Sequence, residues 1–210
     1  MNYLAPNEYE NYGIEKTTLA AWIAAASSLI DAHCRRSTLA VASYTERQRL
    51  RAGRNTCRLT YLPLATVAPS TTPFTAARGR YAVPRRGEGV TPQELFGDDV
   101  LRIFALPGTW TTLDPTTLDC DAQTGEVTIA PNPLGFSFNE IELTYNAGLA
   151  AIPDAVKFAC AQIVRNAQAT PALNVRSESI DRLRLDYFSD SLLDSSVRSL
   201  LAPYVAQKLG

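Results

Sequence analysis

The sequence predicts an α+β protein: a helical unit built from both chain ends, a β-rich module inserted between them, and an extended C-terminal arm. Apolar residues recur at helical spacing over 17–34 and again over 153–168. Between these stretches, residues 40–150 change character. Short runs rich in Val, Thr, Tyr and Leu are punctuated there by Pro and Gly, as strands are. The return to helix is sharp. A β-branched and aromatic run, Ile141 to Tyr145, passes through Asn146-Ala147-Gly148, and Pro153-Asp154 then opens a helix. The expected organisation is 1–40 with 151–210 as the helical unit and 41–150 as the β-rich module.

Each element has a local reason. Asn7 to Tyr12 suits a short helix stopped by Gly13. From Thr17 to Cys34, the residues Leu19, Trp22, Ile23, Ala26, Leu29 and Ile30, with His33 in line, make one apolar face. No Gly or Pro interrupts that stretch, and Thr17 or Thr18 is the expected N-cap. Strands are expected near 41–50, 56–62, 100–105, 109–113, 126–130 and 139–145. Asp119 to Ala130 reads as a turn at Gly125 feeding a strand. The stretch 66–98 is rich in Pro, Gly and Arg and reads as long loops with at most one hairpin.

In the second helix, Val156, Ala159, Cys160, Ile163, Val164 and Ala167 share a face. Phe158 falls opposite, towards a second surface. Pro153 suits a first turn, where its missing N–H has no intrahelical partner, and Asp154 complements the helix dipole. Residues 172–190 read as extended and polar. Residues 191–206 read as a last helix interrupted near Pro203. No internal repeat is present.

Composition narrows the function classes. The chain has 210 residues, 46% hydrophobic and 20% charged, enough for a sizeable core. No apolar run approaches the ~18 residues of a membrane span, and the acidic, polar opening Met1–Gly13 is unlike a secretory signal. The four cysteines lie far apart without a C-x-x-C pair. They read as reduced, mostly buried small residues, and the compartment as cytoplasm-like.

The net charge of −1 hides a segregation. Residues 35–86 hold eleven Arg against one acid, Glu46, and residues 87–154 hold eleven acids against one Arg, Arg102. Arg outnumbers Lys seventeen to three, which suits bidentate pairing or phosphate contact. Either the two blocks neutralise each other inside one fold, or complementary faces meet between copies or with DNA. Arg47, Arg49 and Arg51 alternate along an expected strand. With Arg54 they are the candidate contacts to a neighbouring subunit or to DNA.

Motifs of catalysis are absent. No G-x-S-x-G, P-loop or G-x-G-x-x-G is present. His33, the single histidine, reads as a core or helix-end residue. Arg86-Gly87-Glu88-Gly89 reads as a loop. Asp119, Asp121 and Gln123 only begin to match a calcium loop, for Gly125 falls one place late and Ala130 stands where the bidentate acid belongs. No catalytic residue, metal or cofactor is expected, and hence no enzyme.

A set of short motifs carries a resemblance. Tyr3-Leu4, Glu8-Tyr9 and Tyr12-Gly13 precede a helix that holds Leu29-Ile30-Asp31 near its end. Leu143-Thr144-Tyr145 and Ala147-Gly148 close the last strand, and Ile152-Pro153, Val156 and Lys157 open the next helix. Ser177-Glu178 and Ile180 follow, then Leu200-Leu201 and Pro203-Tyr204. In this order, over nearly the whole chain, the set resembles the head–tail connector (adaptor) proteins of tailed double-stranded-DNA bacteriophages. Asp181 stands where that family often has Gly.

The resemblance implies a structural virion protein of the neck, assembled in the host cytoplasm. It implies a homo-oligomeric ring, commonly of about twelve copies, docked beneath the portal protein. The ring would extend the DNA channel, pass double-stranded DNA without sequence-specific binding, and present a surface to the next connector or tail protein. It also implies that the arm and the last helix, through Leu192, Leu193, Val197, Leu200, Leu201 and Tyr204, reach the portal or a neighbouring subunit. The alternative is a β-rich binding module of a virion or other assembly, recognising glycan or protein.

Overall fold

The structure, a computed structural model, describes residues 1–50, 54–81, 108–132, 135, 137–169, 177–180, 183–186 and 192–206. It combines helices with antiparallel sheets and is α+β. Two compact units divide the described chain: Met1–Ala40 with Ala150–Ala206, and Val41–Leu149.

The first unit opens on a 3₁₀ helix, Pro6–Tyr12, ended by Gly13 in the left-handed region at φ 72°. Helix α1 runs Ala20–Cys34. Its N-cap is Leu19, which makes no side-chain cap bond, and not Thr17 or Thr18. Thr18 N–H is instead held in a turn by Glu15 O at 3.0 Å, so the helix starts three residues later than the spacing predicts. Helix α2 is Asp154–Ala169.

Helix α3 is Ser195–Leu201, capped by Asp194, whose Oδ1 accepts from Val197 N at 2.7 Å. A 3₁₀ turn, Ala202–Tyr204, follows, so the expected last helix is shorter than 191–206. Ile23, Ala26, Ile30 and Cys34 of α1 are buried, as are Val156, Ala159, Cys160, Ile163 and Val164 of α2 and Val197 and Leu201 of α3. Burying each large aliphatic side chain contributes roughly 1.5–3 kcal/mol. Strands β8 (Ser177–Ile180) and β9 (Leu183–Asp186), numbered in chain order after those of the second unit, form a separate two-stranded antiparallel sheet.

The second unit holds two sheets. The first contains β1 (Ala42–Arg49), β7 (Glu140–Ala147), β3 (Phe74–Arg80) and β4 (Thr111–Leu113), in that spatial order. The second contains β2 (Thr56–Arg58), β6 (Glu126–Thr128) and β5 (Asp119–Cys120). Both contribute to one core, in which Tyr44, Phe74, Ile141, Leu143 and Tyr145 meet Leu59, Val127 and Ile129. The alternation of β7 sets the faces. Ile141, Leu143, Tyr145 and Ala147 point inward, while Glu142, Thr144 and Asn146 on the other face are half-buried.

Strand β3 falls within the stretch read as loops. Phe-Thr-Ala-Ala-Arg-Gly-Arg carries little intrinsic strand preference, but it is held between β7 and β4, and tertiary pairing overrides propensity there. Gly79 is needed in that strand because a Cβ at this position would stand 2.6 Å from the ring of Phe138. Strand β5 likewise occupies part of the stretch read as a turn. The strand expected at 100–105, the residues 82–98 of the expected loop, Arg51, Asp181 and most of 172–190 lie outside the described residues.

Candidate functional site

The register of the four-stranded sheet brings charged residues onto the face opposite the core. Arg47 lies across from Glu142 on β1, and Arg49 lies across from Glu140. On the other side of β7, Arg78 lies across from Glu142 and Arg80 from Glu140. Direct bonds join them. Arg47 Nε donates to Glu140 Oε1 at 2.7 Å, and Arg80 Nε donates to Glu140 Oε2 at 2.6 Å. Arg78 Nε donates to Glu142 Oε1 at 2.8 Å.

Glu140 is 4% exposed although it sits on the outer face, because its two arginines cover it. The hydrogen bond from Arg47, with that from Arg80, holds its carboxyl below the usual glutamate range against the opposing effect of burial. Trp110 completes the cluster. The guanidinium carbons of Arg78 and Arg80 each lie 4.7 Å from its ring centroid, and that of Arg47 lies 5.4 Å away. The arginines of this face outnumber its glutamates. The side chains of Arg47 and Arg78 stay 48% exposed, so the surface is cationic and held in shape from beneath.

The two charge blocks of the sequence therefore pair, at least here, within one sheet. Of the four candidate arginines, Arg47 is engaged in this cluster and Arg49 shares its face. Arg54 is exposed beyond the strand, and Arg51 lies outside the described residues. Sequence reasoning missed Arg78, Arg80 and Trp110, which lie outside the runs recognised as strands or lack a periodic neighbour. It also missed Glu46. That lone acid of the basic block shares the core-facing parity of Tyr44, and its carboxylate accepts from the Tyr145 hydroxyl, from Thr60 N at 3.2 Å and Thr60 Oγ1 at 3.0 Å, and from Gln48 Nε2 at 3.0 Å. Burial, then the bond to Glu46, pushes the Tyr145 hydroxyl far above the usual tyrosine range.

Strand β1 lies at the edge of its sheet. A groove of about 430 Å³ runs along it, lined by Thr45, Glu46, Arg47, Gln48 and Arg49 and walled by Thr60 and Tyr61. The ring of Tyr61 stacks on Tyr44 at 4.0 Å.

In the helical unit the candidate contact residues separate. Val197 and Leu201 are fully buried inside the unit, so as folded they offer nothing to a partner. Leu192, Leu193, Leu200 and Tyr204 are half-buried. Asn166 Nδ2 donates to Asp194 Oδ2 at 3.2 Å, fastening the start of α3 to α2. Phe158 is 46% exposed, with the Arg165 guanidinium 5.6 Å above its ring.

The short motifs singled out in the sequence meet one another in this unit. The Tyr3 hydroxyl donates to Asp31 and accepts from Leu39 N at 2.7 Å. Lys157 Nζ donates to Glu8, and the Tyr12 hydroxyl donates to Asp154 Oδ1 at 2.7 Å. Leu4 and Tyr9 are buried beside them.

Among the described residues, no group of three or more His, Cys, Asp and Glu is placed to hold a metal ion. Cys34, Cys57 and Cys160 are buried free thiols and Cys120 a half-buried one. Burial raises all four thiols above the usual cysteine range, away from the thiolate form that attacks or binds metal. His33 lies in the last turn of α1. No helix among the described residues is long and apolar enough to cross a membrane.

No protein-family model matches the chain, and no curated protein matches its sequence.

Proposed function

We propose that this chain is a structural subunit of a phage head–tail connector: one copy in a homo-oligomeric ring beneath the portal, extending the DNA channel and receiving the tail or the next connector. The observation that carries the reading is the pairing of the motif residues. Tyr3 and Asp31, and Glu8 and Lys157, are up to 149 positions apart in sequence yet bonded in the fold, and Tyr12 bonds Asp154, a non-motif residue next to Pro153. Residues that resemble the adaptor family's motifs are thus bonded to one another across the sequence, as inherited architectural positions are and coincidental matches need not be.

The cationic face of the four-stranded sheet suits a channel wall or a subunit contact. Its arginines are pre-oriented by Glu140, Glu142 and Trp110, and they present positive charge on an exposed face. Such a surface attracts a polyanion weakly and in a salt-sensitive way, which lets DNA slide. The reading is tested by removing the gene from a phage that carries it and examining the particles. DNA-filled heads without tails are the expected product, restored to infectious particles by the gene supplied in trans. Tailed, infectious particles without the protein would overturn the reading.

A further inference from the structure

The edge of β1 is unusually open. Within a sheet, antiparallel residues point both backbone groups first to one side and then to the other. Leu50 N donates to Asn139 O at 2.9 Å, which fixes the even-numbered residues of β1 as those bonded to β7. The N–H and C=O of Thr45 and Arg47 therefore face away from β7, and among the described residues neither meets a partner. The strand carries the charges Glu46, Arg47 and Arg49 but lacks the stronger guards against strand addition. It is eight residues long, pairs with β7 without a bulge, and contains no Pro or Lys. The other described edge strands have two to four residues: β4 three, β2 three, β5 two, and β8 and β9 four each. The groove along this edge has one wall already built, from Thr60 and Tyr61.

The same chain carries a sheet that is too small. Among the described residues, strands β8 and β9 pair only with each other, over four residues, from Ser177↔Asp186 to Ile180↔Leu183. A lone two-stranded hairpin is marginal in water and gains stability from a third strand. We propose that β8 of a second copy adds to the free edge of β1, so that the four-stranded sheet of one subunit continues into the hairpin of its neighbour. Strand addition draws its affinity from backbone bonds and its selectivity from alternate side chains. β8 carries one acid, Glu178, and no base, whereas β9 carries Arg184 with Asp186; β1 carries Arg47 and Arg49 against Glu46, so the charge balance favours β8 over β9. A contact between two different patches of one chain is heterologous and closes into a ring when its rotation allows. The inference rests on the ring reading for the neighbouring copy and names the contact that joins them.

The test uses the full-length purified protein at concentrations where it self-associates, with Cys120→Ser as the background because that thiol is half-buried. Ser43→Cys and Ser179→Cys chains are mixed and treated with a short bismaleimide. The expected product is a covalent 43–179 pair that forms in the mixture. It should be lost when Thr45→Pro is added to the first chain and kept with Thr45→Val. Thr45 is the place for proline, since its N–H takes no part in the bonding to β7. Amide exchange guards against a misfolded proline variant: in the unsubstituted protein, Thr45 and Arg47 should exchange slower by about tenfold or more on assembly. A 43–43 product, assembly that leaves both amides unprotected, or a chain that stays monomeric at every concentration would each overturn the inference. None of these bears on whether the protein sits at the portal vertex, so the two readings fail separately.

Discussion

Arg80 and Glu140 lie directly opposite one another on neighbouring strands, Nε to Oε2 at 2.6 Å, and with Arg47 they seal a carboxylate on the outward face of a sheet. Removing that carboxylate strands two guanidiniums over a tryptophan. Glu140→Ala is expected to cost about 2–3 kcal/mol, below the usual figure for breaking a buried pair because both arginines keep some water. Urea denaturation followed by tryptophan fluorescence checks it. A loss within about 0.5 kcal/mol would show that the cluster is ornamental to stability.

The same pair sets an acid dependence. Glu140 has a folded pKa below its ordinary value of 4.5, chiefly through the bond from Arg47 and then that from Arg80. Its contribution is therefore fully present above pH 4.5 and is lost as the pH falls through the lower folded value. Glu140→Gln should flatten the fall in stability on the acid side of that point and leave the slope near neutrality unchanged. Denaturation midpoints over a pH series read this directly, and an unchanged acid slope would assign the dependence to other carboxylates.

How much of this was legible beforehand depends on the element. The face of α1 was readable because Ile23, Ala26 and Ile30 recur at helical spacing, and all three are buried; Leu19, in the same periodic set, is 67% exposed because it precedes the helix as its cap. Strand β3 was not readable. Its Ala, Arg and Gly residues carry no strand signal, and only pairing with β7 and β4 makes it a strand. The charge segregation was plain in composition, but whether it neutralised within the fold or between copies depended on register. The pairings Arg78↔Glu142 and Arg80↔Glu140 belong to the very strand that was missed. Buried Val197 and Leu201 show the complementary limit: an apolar helix face looks alike in sequence whether its own unit or a partner covers it.

Tyr3 is expected to be a structural pin. Its hydroxyl gives a bond to Asp31 and takes one from the buried Leu39 N–H, and burial together with Asp31 pushes its pKa up to about 12. Tyr3→Phe leaves that amide without an acceptor, at a cost of roughly 1–3 kcal/mol. Chemical denaturation gives the value, and Asp31→Asn should lose less because Tyr3 can still accept from Leu39.

Gly79→Ala tests the close approach at the sheet core. The added methyl would meet the Phe138 ring at 2.6 Å, and that ring is itself stacked on Tyr81 at 5.0 Å. Overpacking of this sort costs about 1–3 kcal/mol. A second change, Phe138→Leu, should recover part of the loss in a double-mutant cycle. Strict additivity of the two would mean that the contact is not what Gly79 serves.

The central claim, a connector subunit at the head–tail junction, is tested most directly by electron microscopy of phage particles that carry a tagged copy of this chain. The expected image has ring-shaped extra density at the portal vertex, between the capsid and the tail, and none elsewhere on the particle. Density at fibre tips or on the capsid faces, or particles that contain none of the protein, would contradict it.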